Sequence, residues 1–293
     1  QKTMRVAQSL YEGIDLPGQG PVGLITYMRT DSLRIAPEGI AMARKFIEEN
    51  FGERYLPEKP HQYISKERSQ DAHEAIRPTN VRLVPEEIQT HLTKDQKALY
   101  ELIWKRFLAS QMEPAVVART NLEVEAGPYT LRQSGVTLIF DGWSRLWPLE
   151  MKEEILPEAE VGELLKLLKL DKEQKFTKPP SRYTESGLVK VLEEKGIGRP
   201  STYATIIQTL YDRHYVERDE AKKLFPTELG VTVNSFLVEH FQSLINVEFT
   251  AKMEDELDKV ERGEASWLSV VREFWVHFEG ILKSVQNVAK VEV

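Results

Sequence analysis

The sequence has no cysteine among its 293 residues. That excludes disulfides and any Cys-ligated zinc site, and it fits a reducing cytoplasm or a hot habitat. It has no apolar run of the roughly 18 residues that a membrane-crossing helix needs. Its apolar residues, 41% of the chain, fall instead in short periodic runs. There is no initiator Met and no apolar signal core; "QKTMRVAQSLYEG" reads as the middle of a helix or the run into one, so the chain is expected to be a piece of a longer polypeptide. There is no excess of positive charge either. A net charge of −7 has the wrong sign for the simplest nucleic-acid binder, though a local cationic groove remains compatible with it. Finally, no G-x-x-x-x-G-K-[ST] pattern occurs, which excludes that nucleotide-triphosphate loop.

What is present divides into three regions. Residues 1–112 read as a helical domain after one short strand. "APEGIAMARKFIEENFG" has Ile40, Ala43, Ile47 and Phe51 at helical spacing before Gly52, and "TKDQKALYELIWKRFLASQ" opens on a Thr93/Gln96 capping box. Residues 113–180 alternate apolar and polar, with breaks at "AGPY" and "QSG", and predict antiparallel strands. Within them "VGELLKLLKL" is expected as a returning strand, although helical spacing fits it nearly as well. Residues 181–293 predict helices again. "YTESGLVKVLEEKGIGRPSTYATIIQTLYDRHYVE" reads as helix, tight turn, helix, and "RDEAKKLFPTELG" as a wing-like hairpin, which together suggest a winged helix-turn-helix.

Three clusters carry candidate chemistry. In "GLITYMRTDS", an extended chain would project Tyr27 and Arg29 to one face. A phenol with a pKa of about 10 is a poor nucleophile at neutral pH, and a guanidinium beside it would favour the phenolate and bind an attacked phosphate. Thr30, Asp31 and Ser32 supply small groups able to hold a phosphate or to cap a helix. Spacing alone favours the plainer reading, a half-buried strand aromatic beside a surface arginine. In "SQDAHEAIRPTN", His73, Glu74 and Arg77 are placed on one helical turn, with His73 able to hydrogen-bond a phosphate or shuttle a proton; a structural histidine is the plain alternative. In "GIGRPSTYA", Arg199, Ser201 and Thr202 at a helix start form either a phosphate clamp or a routine helix connection, and Arg213 extends the basic surface. Tyr183, Tyr203 and Tyr211 are candidates for stacking on bases. The acidic run "AKMEDELDKVERGE" reads as a solvated helix face rather than a metal site.

Taken together the motifs resemble the type IA DNA topoisomerases, and within them the bacterial topoisomerase I group. "TYMRTDS" resembles the active-site segment, "SQDAHEAIRPT" the His-containing motif, "KFTKPPSRYTESGLVKVLEEKGIGRPSTYATII" the long DNA-binding signature, and "FTAKMEDELDKVERGE" a later motif. They occur in family order along nearly the whole chain.

The resemblance implies a multidomain, mainly α fold with a β-rich arch segment, forming part of a toroidal molecule. It implies that Tyr27 attacks a DNA phosphate and becomes joined to the 5′ side of the break, supported by Arg29 and His73. Thr30, Asp31, Arg199, Ser201, Thr202 and Arg213 would lie along the single-stranded DNA. Strand rejoining would reverse the same step without ATP, relaxing negatively supercoiled DNA as a monomer on the cytoplasmic nucleoid. The family's Mg²⁺-binding toprim domain has no counterpart in the 26 residues before Tyr27, so no metal ligands are expected in this chain. Two other readings stand beside this one: a single-stranded DNA-binding module without chemistry, and the topoisomerase half of a reverse gyrase.

Overall fold

The computed structural model describes residues 2–30, 32–63 and 73–285. They form two compact units that divide between Lys175 and Phe176. Asp31 lies outside the described residues.

The first unit begins with helix α1 (Lys2–Glu12) and the small antiparallel hairpin β1 (Ile14–Leu16) and β2 (Gly20–Val22), which pairs Ile14 with Val22. Helix α2 (Pro37–Phe51) starts on a proline at its first turn, where a missing N–H costs nothing, and stops at Gly52. Helix α3 (Lys94–Ser110) carries the predicted reciprocal cap: Gln96 N–H donates to Thr93 Oγ1 at 3.3 Å and Thr93 N–H to Gln96 Oε1 at 2.9 Å. Its inward stripe is Tyr100, Trp104, Phe107 and Leu108, while Leu102 is exposed. Against that stripe pack Ala43, Phe46 and Ile47 of α2, with Leu10, Leu24 and Ile25. The two buried polar aromatics keep their partners, Tyr100 Oη donating to Leu83 O at 2.8 Å and Trp104 Nε1 to Val81 O at 2.9 Å. Burial pushes the Tyr100 phenol pKa far up.

A long antiparallel hairpin follows, β3 (Val116–Ala126) and β4 (Tyr129–Phe140), turning at Gly127. The "QSG" stretch does not interrupt it, because β4 runs straight through residues 133–135. Gly135 instead admits a third stretch of chain. A Cβ there would sit 2.5 Å from Glu154 O, where Val136 and Glu154 form a two-way bridge of 2.9 and 3.0 Å. Beyond that bridge the expected returning strand does not form. "VGELLKLLKL" has no regular structure, and Leu164 and Leu168 are 97% and 88% exposed. Its leucines find no apolar surface inside the unit, so neither strand nor helix gains the burial that would fix it.

The second unit contains α4 (Glu185–Glu194), α5 (Tyr203–Asp212), the two-stranded ribbon β5 (Val216–Arg218) and β6 (Leu224–Pro226), then α6 (Glu228–His240), α7 (Val247–Glu261) and α8 (Trp267–Val285). Three helices start on side-chain caps: Thr184 accepts from Gly187 N–H, Thr227 from Gly230 N–H, and Asn246 from Phe249 N–H. The element order is helix, turn, helix and two-stranded ribbon. Across both units the molecule is mainly helical with two-stranded antiparallel sheets. Among the described residues no helix is long and apolar enough to cross a membrane.

Candidate active site and nucleic-acid surface

The Tyr27 segment is not a strand, so the same-face argument for Tyr27 and Arg29 does not apply as stated. Ile25 forms an isolated bridge with Pro78. Thereafter the chain turns tightly, Arg29 N–H donating to Tyr27 O at 2.9 Å around Met28. Met28 is buried and Tyr27 is 45% exposed, so the turn still drives the intervening side chain inward and leaves the phenol outward. The approach is fixed from both sides. Leu24 N–H donates to Leu10 O at 2.8 Å at the end of α1, and a Cβ on Gly23 would come within 2.7 Å of Tyr11 O. On the other flank, Thr26 N–H donates to Arg77 O at 2.9 Å and its hydroxyl to Ala75 O at 2.7 Å.

Residues 73–78 are not helical, because their backbone groups pair across to residues 24–34 instead of with each other. His73, Glu74 and Arg77 therefore do not share a helical turn. Arg77 is buried and grips Glu74 through two bonds, Nε to Oε2 at 2.9 Å and Nη2 to Oε1 at 3.1 Å. Glu74 Oε2 also accepts the Ala36 N–H at the start of α2. Burial pushes the Glu74 pKa up, but the Arg77 bonds, the Ala36 N–H and the nearby positive charges outweigh it and hold the carboxyl below its ordinary value. This clamp sets the path that delivers His73 to Tyr27. Their ring centroids lie 5.3 Å apart, and Tyr11 meets Tyr27 edge-on, also at 5.3 Å. His73 Nδ1 is buried with no hydrogen-bond partner among the described residues.

Ser32 is buried and its hydroxyl donates to His73 O at 2.9 Å. Thr30 is exposed, and with Arg29 it lines a cleft of about 700 Å³ whose other walls include Arg106, Phe107 and Trp143. Sequence reasoning missed Tyr11 and Arg106. Both lie on helices, far along the chain or in unremarkable context, with no motif to mark them.

In the second unit, Gly196 and Gly198 adopt φ of +70° and +75°, giving the tight turn between α4 and α5. Thr202 precedes α5 without a side-chain cap. Its hydroxyl instead accepts from Arg199 N–H at 2.9 Å and donates to Arg199 O. Ser201 and Thr202 are exposed, as is Arg213 at the end of α5. Arg199 is not presented outward. Its Nη1 donates to Gly198 O at 2.9 Å and pairs with Glu254 Oε2 at 3.3 Å, and its Nη2 donates to Glu254 O at 3.2 Å and Asp258 Oδ2 at 2.7 Å. Burial disfavours its charge, but Asp258 and Glu254 more than compensate, so its pKa is raised. Glu254 and Asp258 are thus not on a solvated face; the acidic run folds two of its carboxylates onto this arginine. Of the tyrosines, Tyr183 is exposed, whereas Tyr211 Oη is tied to Glu185 at 2.9 Å.

A family model described as DNA topoisomerase matches residues 1–272. The chain is 46% identical over 289 residues to DNA topoisomerase 1 of Vibrio cholerae, covering 98% of this chain and 32% of that protein. It is 43% identical over 299 residues to DNA topoisomerase 1 of Xylella fastidiosa, covering 98% and 36%. Among solved structures it is similar to full-length topoisomerase I from Thermotoga maritima, with a TM-score of 0.81 and 40% identity over 96% of this chain and 46% of that one. The chain therefore spans about a third of the length of these curated relatives. With the motifs in order, the fold shared and the family model covering most of its length, this chain belongs to the type IA DNA topoisomerases, alongside bacterial topoisomerase I.

Proposed function

We propose that the chain carries the nucleophile and part of the single-strand surface of an enzyme that relaxes negatively supercoiled DNA by breakage, passage and rejoining. The observation that carries this reading is Tyr27: an exposed phenol in contact with the rings of Tyr11 and His73, two residues before Arg29, which lines a cleft with Arg106, in a chain of this family. Tyr27 Oη attacks a backbone phosphorus and the P–O3′ bond breaks. The phenolic proton leaves to solvent, the departing 3′ oxygen takes one up, and the 5′ phosphate remains on Tyr27. Rejoining runs the reverse displacement. One phosphodiester is exchanged for another each way, so the chemistry draws on no nucleotide triphosphate. Arg29 stabilises charge on the phosphate, and His73 lies where it can donate to a phosphate oxygen.

Thr30 and Asp31 serve the scissile region, while Ser201, Thr202 and Arg213, in a winged-helix-like element, contact the backbone of a single strand. The molecule acts as a monomer on nucleoid DNA in the bacterial cytoplasm. Mg²⁺ is the family's expected ion. Among the described residues no group of three or more His, Cys, Asp or Glu side chains is placed to hold a cation.

The test is binding of a labelled single-stranded oligonucleotide to residues 1–293, followed by denaturation to detect a covalent adduct in the full-length protein. Binding by the chain with a Tyr27-dependent adduct in the full-length protein supports the proposal. Binding without an adduct in either supports a DNA-binding module, and an adduct surviving in Tyr27→Phe overturns the nucleophile assignment.

A further inference from the structure

The acidic run of α7 has no part in the chemistry above, yet two of its carboxylates converge on the turn that bears the DNA-contacting hydroxyls. Glu254 Oε1 accepts the Gly198 N–H at 3.0 Å, while Glu254 Oε2 and Asp258 Oδ2 hold the Arg199 guanidinium. All three side chains are largely withdrawn from water, at 23% exposure for Arg199, 24% for Glu254 and 17% for Asp258. The turn they grip has little freedom of its own. A Cβ on Gly198 would lie 3.0 Å from Ile206 Cδ1 and 3.1 Å from Thr202 Oγ1, so the backbone of the turn rests directly on the first turn of α5.

We propose that Glu254 and Asp258 are positioning residues for single-stranded DNA: acting through Arg199 and the Gly198 N–H, they hold the 195–202 turn so that Ser201, Thr202 and Arg213 face the strand. This inference rests on the reading that the 198–213 surface binds the strand. It assigns Arg199 to the turn rather than to a phosphate. Both Arg199 terminal nitrogens already donate to protein oxygens, and swinging the guanidinium to a phosphate would leave two half-withdrawn carboxylates without their counter-charge near a polyanion. Two negative residues beside a DNA path are tolerable only while the arginine neutralises one of them and the other is spent on a backbone N–H.

The arrangement makes a counter-intuitive prediction, because removing a negative charge ordinarily tightens DNA binding. The experiment measures anisotropy of a labelled mixed-sequence single strand with residues 1–293 across a salt series. Asp258→Asn and Glu254→Gln are expected to weaken binding about 5- to 20-fold with the salt slope unchanged, and Asp258→Glu to retain most of the affinity. Arg199→Ala is expected to behave like Asp258→Asn. Arg213→Ala, a direct contact, is expected instead to reduce the slope by about 0.7, the value for one phosphate on a single strand. Gly198→Ala perturbs the turn without touching a charge and is expected to give the same loss at constant slope.

Tighter binding with a steeper slope in Asp258→Asn or Glu254→Gln overturns the proposal and makes the carboxylates a mask over Arg199. Wild-type affinity in Gly198→Ala also overturns it, and that variant decides the matter if the charge variants fail to fold. An absence of salt-dependent binding by the unaltered chain is a different failure, because it removes the DNA-binding reading itself.

Discussion

Arg77 can be buried in the first unit because each of its three guanidinium nitrogens finds an oxygen: Nε and Nη2 on Glu74 and Nη1 on Pro78. Glu74→Gln would keep the shape but leave the buried guanidinium short of a counter-charge, with an expected cost of about 2–4 kcal/mol in thermal or denaturant unfolding. The sign of its pH dependence follows from the depressed carboxyl. Glu74 in the folded protein titrates below its ordinary 4.5, so its stabilisation is complete above that pH and is lost as the pH falls through the lower folded value. The unaltered chain should lose stability on acidification below about pH 4.5, and Glu74→Gln should show a flatter acid profile. At this scale the motifs singled out Tyr27 and His73, whose rings the fold brings to 5.3 Å from one another. The sequence was silent on Tyr11, which reaches Tyr27 only because α1 and the Gly23 segment pack backbone to backbone. Motif spacing also could not tell that Arg199 turns inward, since its partners lie more than fifty residues away on α7.

Elements with strong local signals were readable. The Thr93/Gln96 box and the helical spacing before Gly52 placed α3 and α2 where they are found. Thr93→Ala should lower stability by about 1 kcal/mol, measurable as a shift in denaturant midpoint. Elements whose form depends on distant partners were misread. The "LITYMRT" and "SQDAHEAIRP" stretches trade strand and helix for pairing with each other, and "VGELLKLLKL" satisfies two periodicities while burying neither face. The root of the long hairpin depends on one position invisible to periodicity. Gly142 has φ +46° and room for no Cβ, which would meet Glu113 O at 2.4 Å. Gly142→Ala should destabilise the first unit by at least about 1–2 kcal/mol from the backbone conformation alone, because the obstructing atoms are backbone and cannot swing aside. Calorimetry on the chain would show it.

At the scale of the whole molecule, the negative net charge and the DNA-binding family are reconciled by where charges are spent. Acidic residues such as Glu74, Glu254 and Asp258 neutralise arginines inside each unit, while Arg213 is left exposed, and Arg29 and Arg106 line the cleft beside Tyr27. Composition gives the sum of these charges and not their placement, which is why −7 was a poor guide to partners. The architecture delivers an exposed phenol in contact with an imidazole and a second phenol, two residues before Arg29, which lines a cleft with Arg106. The most direct test of the account is peptide mapping of the covalent adduct formed when the full-length protein is incubated with labelled single-stranded DNA and Mg²⁺ and then denatured. The account predicts a nucleotide-bearing peptide modified at Tyr27, joined through a 5′ phosphate and absent in Tyr27→Phe; modification at any other residue, or an adduct that survives Tyr27→Phe, would contradict it.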